Sequence, residues 1–192
     1  MIKAVIFDCF GVVISDALSV MCTELQPTNP DGVVEVWGLI NKANRGILTS
    51  EESSTRIAEL FGMTLVEYRT KIAEGETKNQ QLLNYISDLH ELYKTAMLSN
   101  IPVGGIARRF DEGELEQYFD VVVVSGETGY AKPSPEAYDV TAERLGVRPS
   151  ECVFVDDREQ YVLGARAVGM HPILYKDFAQ FRMELEVLFA NS

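Results

Sequence analysis

The chain has 192 residues, of which 46% are hydrophobic, and a formal net charge of −12 at pH 7. This length allows one substantial hydrophobic core with a small insert, and the composition is typical of a soluble globular protein. The acidic balance argues against binding to nucleic acid or to an anionic membrane, because both partners attract clustered Lys and Arg. The three cysteines form no CxxC pair, so we expect free, buried thiols and a cytoplasmic protein.

The first part of the chain divides into a strand and a helical stretch. Residues 2–7 form a continuous apolar run, which predicts a strand buried on both faces, and residues 11–15 indicate a turn. Because Asp8 interrupts the apolar run, we expect neither a signal peptide nor a membrane span here. From Asp16 to Glu76 the apolar residues recur at helical spacing. Within this stretch we predict one helix from residues 49–50 to residues 60–61, which Gly62 ends, and a further helix over residues 65–73.

Strands and helices alternate in the remainder of the chain. We predict helices over residues 79–91, 106–109, 135–145, 162–168 and 178–189, and strands over residues 95–98, 121–124, 152–155 and 173–175. Such alternation implies right-handed crossovers and a parallel sheet with helices on both faces. The predicted fold is therefore an α/β, Rossmann-like domain formed by residues 1–15 and 77–192, with residues 16–76 as a small helical insert.

Four segments place polar side chains at, or a few residues beyond, the ends of predicted strands. They are Asp8, Ser99-Asn100, Lys132 and Asp156-Asp157, in the order of the first four strands. Ligands of open parallel sheets bind at the carboxyl ends of the strands, so we expect these segments to meet in one cleft. Each segment alone has a simpler explanation, such as a turn, a helix cap or a solvated charge. The order and spacing of all four favour a binding site.

The residue types in these segments suit a divalent cation together with a phosphate. Adjacent Asp156 and Asp157 are not both comfortably ionised without a cation or another positive partner. With Asp8 they form an oxygen donor set of the kind that Mg²⁺ prefers. The hydroxyl of Ser99 and nearby backbone N–H groups are suited to an anion. Pro133 stiffens the backbone beside Lys132, which helps to hold an ammonium group in place.

The four segments resemble the motifs of the haloacid dehalogenase (HAD) superfamily of hydrolases. The resemblance lies in the texts VIFDCFGVV, MLSN, SGETGYAKPSPEAY and VFVDDREQYVLGARAVGM. They match the branch that contains sugar-1-phosphate phosphatases and the phosphatase domain of soluble epoxide hydrolases. In this family an inserted helical cap follows the first strand, where residues 16–76 lie. The resemblance implies a Mg²⁺-dependent phosphatase that hydrolyses a small phosphorylated metabolite.

The resemblance also implies the ligands of the metal ion. Asp8 would be the nucleophile that forms an aspartyl-phosphate, and it would also bind Mg²⁺. The backbone carbonyl of Phe10 and the carboxylate of Asp157 would complete the protein's ligands. Asp156 would support the ion directly or through water.

The remaining motif residues would bind the phosphoryl group. The resemblance implies that Ser99 and Asn100 contact the phosphoryl oxygens. It also implies that Lys132 neutralises Asp8 and the group in transfer. These roles agree with the physics of phosphoryl transfer, which depends mainly on positioning and on charge neutralisation.

Phe10 departs from the family pattern. Phosphatases of this family usually carry an Asp two residues after the nucleophile as general acid and base, and a phenylalanine side chain donates no proton. Loss of acid–base catalysis costs about 10²–10⁴ in rate. Two alternatives therefore stay open: a 2-haloacid dehalogenase in which Asp8 displaces halide without metal, and a binding protein of the same fold with reduced catalysis. The pair Asp156-Asp157 argues against the dehalogenase, which lacks it.

Overall fold

The computed structural model describes residues 1–191, and these residues form a five-stranded parallel sheet. The strands are β1 (Ala4–Phe7), β2 (Lys94–Ser99), β3 (Val121–Val124), β4 (Cys152–Asp156) and β5 (His171–Leu174). Their order in the sheet is β3-β2-β1-β4-β5, and all neighbouring pairs are parallel. The central strand β1 is entirely buried, as expected for an apolar strand that is covered on both faces. The predicted α/β fold is confirmed.

Helices cover both faces of the sheet. They are α5 (Gln80–His90), α6 (Ser125–Thr128), α7 (Pro135–Leu145), α8 (Glu159–Ala167) and α9 (Phe178–Ala190). On one face Val5 and Phe7 of β1 belong to an apolar cluster with residues of α5 and α9. On the other face Ala4 and Ile6 belong to a second cluster with residues of α7 and α8. The alternation of side chains along β1 thus supplies both halves of the core.

Four further helices lie between β1 and α5 and pack around an apolar cluster of their own. These are α1 (Ala17–Leu25), α2 (Pro30–Asn44), α3 (Ser50–Leu60) and α4 (Leu65–Gly75). Both α3 and α4 begin with a capping box, formed by Thr49 with Glu52 and by Thr64 with Glu67. The two chain segments that connect these helices to the rest run side by side, and the Ser15 N–H donates to the Thr77 carbonyl at 3.0 Å.

The structure differs from the sequence prediction in several places. The prediction of a helix over residues 106–109 is wrong, because this segment forms turns after Gly104, whose φ is +74°. Two adjacent glycines before so short a segment disfavour a helix. Strand β5 begins at His171 and includes Pro172, which is compatible with an edge strand. The last residue of the predicted core range, Ser192, lies outside the described residues.

Two expectations from composition can be compared with the structure. Cys9, Cys22 and Cys152 are free and buried, as predicted. Within residues 1–191 none of the helices combines the length and the apolar character that crossing a bilayer requires.

Candidate active site

Three carboxylates meet at the carboxyl ends of β1 and β4. Asp8 directly follows β1, and its N–H donates to the Val155 carbonyl at 2.8 Å, which joins the ends of the two strands. Asp156 is the last residue of β4, and Asp157 begins the connection to α8. Each of the three offers a carboxylate oxygen, and these oxygens all lie within 4.8 Å of one another. The structure therefore brings the three acidic motif residues together.

Lys132 lies between two of these carboxylates. Its side chain is buried, with Nζ 2.7 Å from Oδ1 of Asp8 and 2.6 Å from Oδ2 of Asp156. The aromatic rings of Tyr161 and Phe154 also lie near the ammonium, at 4.9 and 5.4 Å from Nζ to the ring centroids. The ammonium is thus held by two opposite charges in a site lined by aromatic side chains.

Asn100 fixes the backbone of Lys132. Its Nδ2 donates to the Lys132 carbonyl at 2.8 Å, and its Oδ1 accepts from the Lys132 N–H at 2.8 Å. The side-chain amide predicted to contact phosphoryl oxygens is therefore engaged with the protein itself. This second function for an amide after β2 was not predicted, because it depends on a loop that returns 32 residues later.

Ser99 has a different environment from its neighbour. It ends β2 and is buried, with 1% of its surface exposed. Within the described part of the chain its hydroxyl makes no hydrogen bond. An unpartnered hydroxyl on this otherwise buried residue, at the carboxyl end of β2 and next to the end of β1, is suited to an external acceptor such as a phosphoryl oxygen.

Burial raises the pKa values of all three carboxyl groups. The pKa of Asp8 rises to about 7, with the charge of Asp156 adding to the effect of burial and Lys132 opposing it. Burial also raises the pKa values of Asp156 and Asp157. For Lys132, burial disfavours the ammonium, but the charges of Asp156 and Asp8 outweigh burial and raise its pKa. One ammonium does not balance three carboxylates, so a divalent cation would stabilise the ionised cluster.

Oxygen atoms without partners indicate where such a cation fits. Oδ1 of Asp157 is buried and has no hydrogen-bond partner among residues 1–191. In the same part of the chain the Phe10 carbonyl accepts no hydrogen bond. Both oxygens of Asp156 are engaged, one by Lys132 Nζ at 2.6 Å and the other by the Arg158 N–H at 2.9 Å. The chemistry of the free oxygens fits Mg²⁺, which prefers oxygen ligands.

The turn after β1 lies directly against Asp157. A Cβ added to Gly11 would lie 2.3 Å from Oδ2 of Asp157, and the φ of Gly11 is +87°. Only glycine allows both this close approach and this backbone conformation. The turn is stabilised by Val13 and Ile14, whose N–H groups both donate to the Cys9 carbonyl at 2.9 and 2.8 Å. Glycine at this position therefore brings the backbone of the turn beside the carboxylate of Asp157.

The ring of Phe10 contacts a cation. The Cζ atom of Arg109 lies 4.8 Å from the ring centroid. Nε and Nη2 of Arg109 each lie 2.7 Å from an oxygen of Glu76, and Nη1 donates to the Gly105 carbonyl at 2.6 Å. Arg109 and Glu76 were not predicted as site residues, because neither lies in a motif and their contact depends on the loop after β2.

Arg158 connects the acidic pair to the helical group α1–α4. Its Nη2 lies 2.8 Å from Oδ2 of Asp16 and 3.2 Å from Oγ of Ser19. Its Cζ lies 4.9 Å from the centroid of the Trp37 ring. The sequence offers one signal for this residue, namely its place directly after Asp157.

Comparison with known proteins is consistent with this chemistry. A family model for haloacid dehalogenase-like hydrolases matches residues 2–169. D-ribitol-5-phosphate phosphatase from Bacteroides thetaiotaomicron is 28% identical over 203 aligned residues, which cover 98% of this chain and 98% of that enzyme. Fructose-1-phosphate phosphatase from Escherichia coli is 37% identical over 59 residues, which cover 31% of each chain. The resemblance predicted from the motifs is confirmed.

A solved structure shows the same fold. It is the crystal structure of a HAD family enzyme from Bacteroides thetaiotaomicron in complex with magnesium and inorganic phosphate. The two chains are similar with a TM-score of 0.73 and 21% sequence identity, over 94% of this chain and 99% of the other. At this identity the likeness supports the fold alone.

Proposed function

Since the chain belongs to the haloacid dehalogenase-like hydrolases, we propose that it is a Mg²⁺-dependent phosphatase of a small phosphorylated metabolite. The observation that carries this proposal is the buried cluster in which Lys132 bridges Asp8 and Asp156 while Asp157 keeps an unpartnered oxygen. Phosphoryl transfer needs a placed nucleophile and charge neutralisation, and this cluster provides both. Relatives that are D-ribitol-5-phosphate and fructose-1-phosphate phosphatases favour a phosphorylated sugar or polyol as the substrate.

Asp8 is the nucleophile in this proposal. One of its oxygens attacks phosphorus, the bond to the leaving oxygen breaks, and an aspartyl-phosphate forms. Attack by water then releases inorganic phosphate and restores the carboxylate. The ammonium of Lys132, 2.7 Å from Asp8, offsets the repulsion between this carboxylate and the phosphate dianion. Ser99 would donate its hydroxyl to a phosphoryl oxygen, and Asn100 would act mainly by holding Lys132 in place.

The free oxygens of the site define the ligands of the metal in this proposal. Mg²⁺ would be held by Asp8, the Phe10 carbonyl and Asp157, and it would supply positive charge to the phosphoryl group. Asp156 would support the ion through water, because both of its oxygens are already engaged. Since Phe10 donates no proton, the leaving oxygen would take its proton from water.

We further propose that residues 16–76 act as a cap over a core formed by residues 1–15 and 77–191. Helices α1–α4 have an apolar cluster of their own, as expected for a separate unit. Contacts from the core reach both ends of this unit, where Arg158 pairs with Asp16 and Arg109 pairs with Glu76. Both arginines lie next to proposed metal ligands, so the cap would border the place where substrate binds.

A substrate panel tests this proposal. We would measure phosphate release from phosphorylated sugars and polyols, including D-ribitol 5-phosphate and fructose 1-phosphate, with Mg²⁺ and with a chelator. We expect turnover of at least one sugar or polyol phosphate, and we expect chelation to abolish it. Release that does not depend on metal would contradict the proposal. Halide release from a 2-chloro acid, without phosphate release from any compound, would favour a dehalogenase.

A further inference from the structure

The backbone of Phe10 is not held by hydrogen bonds of its own. Within residues 1–191 neither its N–H nor its carbonyl has a hydrogen-bond partner. The hydrogen bonds of the turn are made instead by its neighbours, such as Gly11, whose N–H donates to the Ile14 carbonyl at 2.7 Å. The peptide groups on either side of Phe10 are nevertheless anchored, one through the Gly11 N–H and the other through the Cys9 carbonyl, and the packing of the Phe10 side chain adds to these bonds in fixing the direction of its carbonyl.

The ring of Phe10 lies between the core and a fixed guanidinium group. It is partly buried and packs against the apolar cluster of β1, α5 and α9. The guanidinium of Arg109 lies 4.8 Å from the ring centroid. This guanidinium is held by three hydrogen bonds that it donates, two to the Glu76 carboxylate and one to the Gly105 carbonyl. The side chains of Arg109 and Glu76 are only 24% and 13% exposed, so this two-point ion pair is partly shielded from water.

Glu76 also links this arrangement to the helical group. It is the C-cap residue of α4, and it directly precedes Thr77, whose carbonyl accepts from the Ser15 N–H. The ion pair therefore joins the loop after β2 to the end of α4, and the contact of Arg109 with the Phe10 ring adds the turn after β1. Displacement of α4 would act on Arg109 through Glu76 and on Phe10 through Arg109.

We propose that Arg109 is a positioning residue that, together with Glu76, fixes Phe10 so that its carbonyl stays available to the metal ion. This inference rests on the proposed function, because the Phe10 carbonyl is a ligand only in a site that binds Mg²⁺. Arg109 itself contacts neither the metal nor the carboxylate cluster in this role. Metal affinity would thereby depend on an ion pair at the end of the helical stretch.

Calorimetric titration of metal-free protein with Mg²⁺ alone tests this proposal without reference to catalysis. The variants are Arg109→Gln, Glu76→Gln and the double variant. Groups that orient metal ligands typically contribute about 10- to 100-fold to affinity, so we expect each single variant to raise the Kd about tenfold or more. We expect the double variant to be no weaker than Arg109→Gln, because both changes break one arrangement.

A matched control comes from α9. Arg182 pairs with Glu186 at 2.8 Å and lies 5.9 Å from the ring of Tyr85, but it lies outside the carboxylate cluster. Arg182→Gln should leave the Kd for Mg²⁺ unchanged. Melting temperatures in chelator show whether each variant is folded. Arg109→Lys is the second variant if Arg109→Gln does not fold, since lysine keeps the charge but does not make the two-point contact.

The outcomes separate this inference from the proposed function. One outcome is that the parent binds Mg²⁺ and hydrolyses phosphate esters, while the folded Arg109 variants bind Mg²⁺ with a Kd within about twofold of the parent value. This outcome would overturn the positioning role alone. Parent that binds no Mg²⁺ would overturn both. A lower melting temperature in chelator with unchanged Kd would show a structural ion pair and would likewise overturn the positioning role.

Discussion

Replacing Asp8 with Asn should change the pH dependence of stability of the metal-free protein. Asp8 is 5% exposed, and burial raises its pKa from 3.8 to about 7. Between these two values the folded protein holds the proton more tightly than the unfolded chain does. The resulting stabilisation is complete below the unfolded pKa and is lost as the pH rises through about 7.

The size of this effect follows from the pKa of Asp8. The rise from 3.8 to about 7 corresponds to about 4 kcal/mol in the free energy of unfolding. About 2–3 kcal/mol of it should be lost between pH 5 and pH 8, because at pH 5 the unfolded carboxyl is already mostly ionised. Asparagine does not ionise, so the variant lacks this loss. The stability of Asp8→Asn relative to the parent should therefore rise by about 2–3 kcal/mol from pH 5 to pH 8.

Urea unfolding monitored by circular dichroism measures this difference directly. Parent and variant are compared in chelator at pH 5 and pH 8, with Asp139→Asn as a control for loss of an exposed carboxylate. A relative stability of Asp8→Asn that is equal at the two pH values would refute the reasoning from burial. Addition of Mg²⁺ at pH 8 should stabilise the parent more than the variant, because the parent keeps a charged ligand.

Three further substitutions test the remaining parts of the site. Asp157→Asn should raise the Mg²⁺ concentration for half-maximal rate by about tenfold or more, because it removes a charged oxygen ligand; an unchanged Mg²⁺ titration would contradict this role. Lys132→Met should abolish turnover and lower the free energy of unfolding in urea at pH 8 by about 3–5 kcal/mol, because two buried carboxylates lose their partner. A decrease of less than about 1 kcal/mol would argue against the bridge between the two carboxylates. At saturating Mg²⁺ we expect the double variant Phe10→Asp with Arg109→Gln to hydrolyse an alkyl phosphate faster relative to nitrophenyl phosphate than the parent does. Phe10→Asp alone should not change this ratio of rates, because Arg109 would keep the new carboxyl ionised. If Phe10→Asp alone raised the ratio of the alkyl phosphate rate to the nitrophenyl phosphate rate, Arg109 would not pair with the new carboxylate.

The carboxylate cluster could be predicted from the sequence because the ends of the strands determine where its residues lie. Asp8 and Asp156 follow apolar runs that form neighbouring parallel strands, and such strands end at the same edge of a sheet. Lys132 reaches the same edge from the connection after β3, where its ammonium bridges the two carboxylates. Local patterns were therefore sufficient to predict these charges, although not the distances between them.

The rest of the site depends on contacts between segments that are distant in sequence. An amide after a strand is compatible with a helix cap, a ligand contact or a hydrogen-bonded contact with another backbone segment. For Asn100 the third is observed, because the loop that contains Lys132 packs against it in the folded structure. Arg109 lies in a segment wrongly predicted as a helix, and its partner Glu76 lies 33 residues earlier. Neither residue has a local signal, because a charge on a loop is usually solvated.

The most direct test of the central claim measures hydrolysis of nitrophenyl phosphate by the parent and by Asp8→Asn, each with Mg²⁺ and with chelator. This ester has a leaving group that needs no proton, so the absence of a side-chain acid at Phe10 does not slow its departure. We predict phosphate release by the parent in Mg²⁺ and none in the other three conditions, with folding of the variant confirmed by circular dichroism. Turnover by Asp8→Asn comparable to that of the parent, or turnover by the parent that is unchanged in chelator, would contradict the claim that Asp8 and Mg²⁺ carry out the reaction.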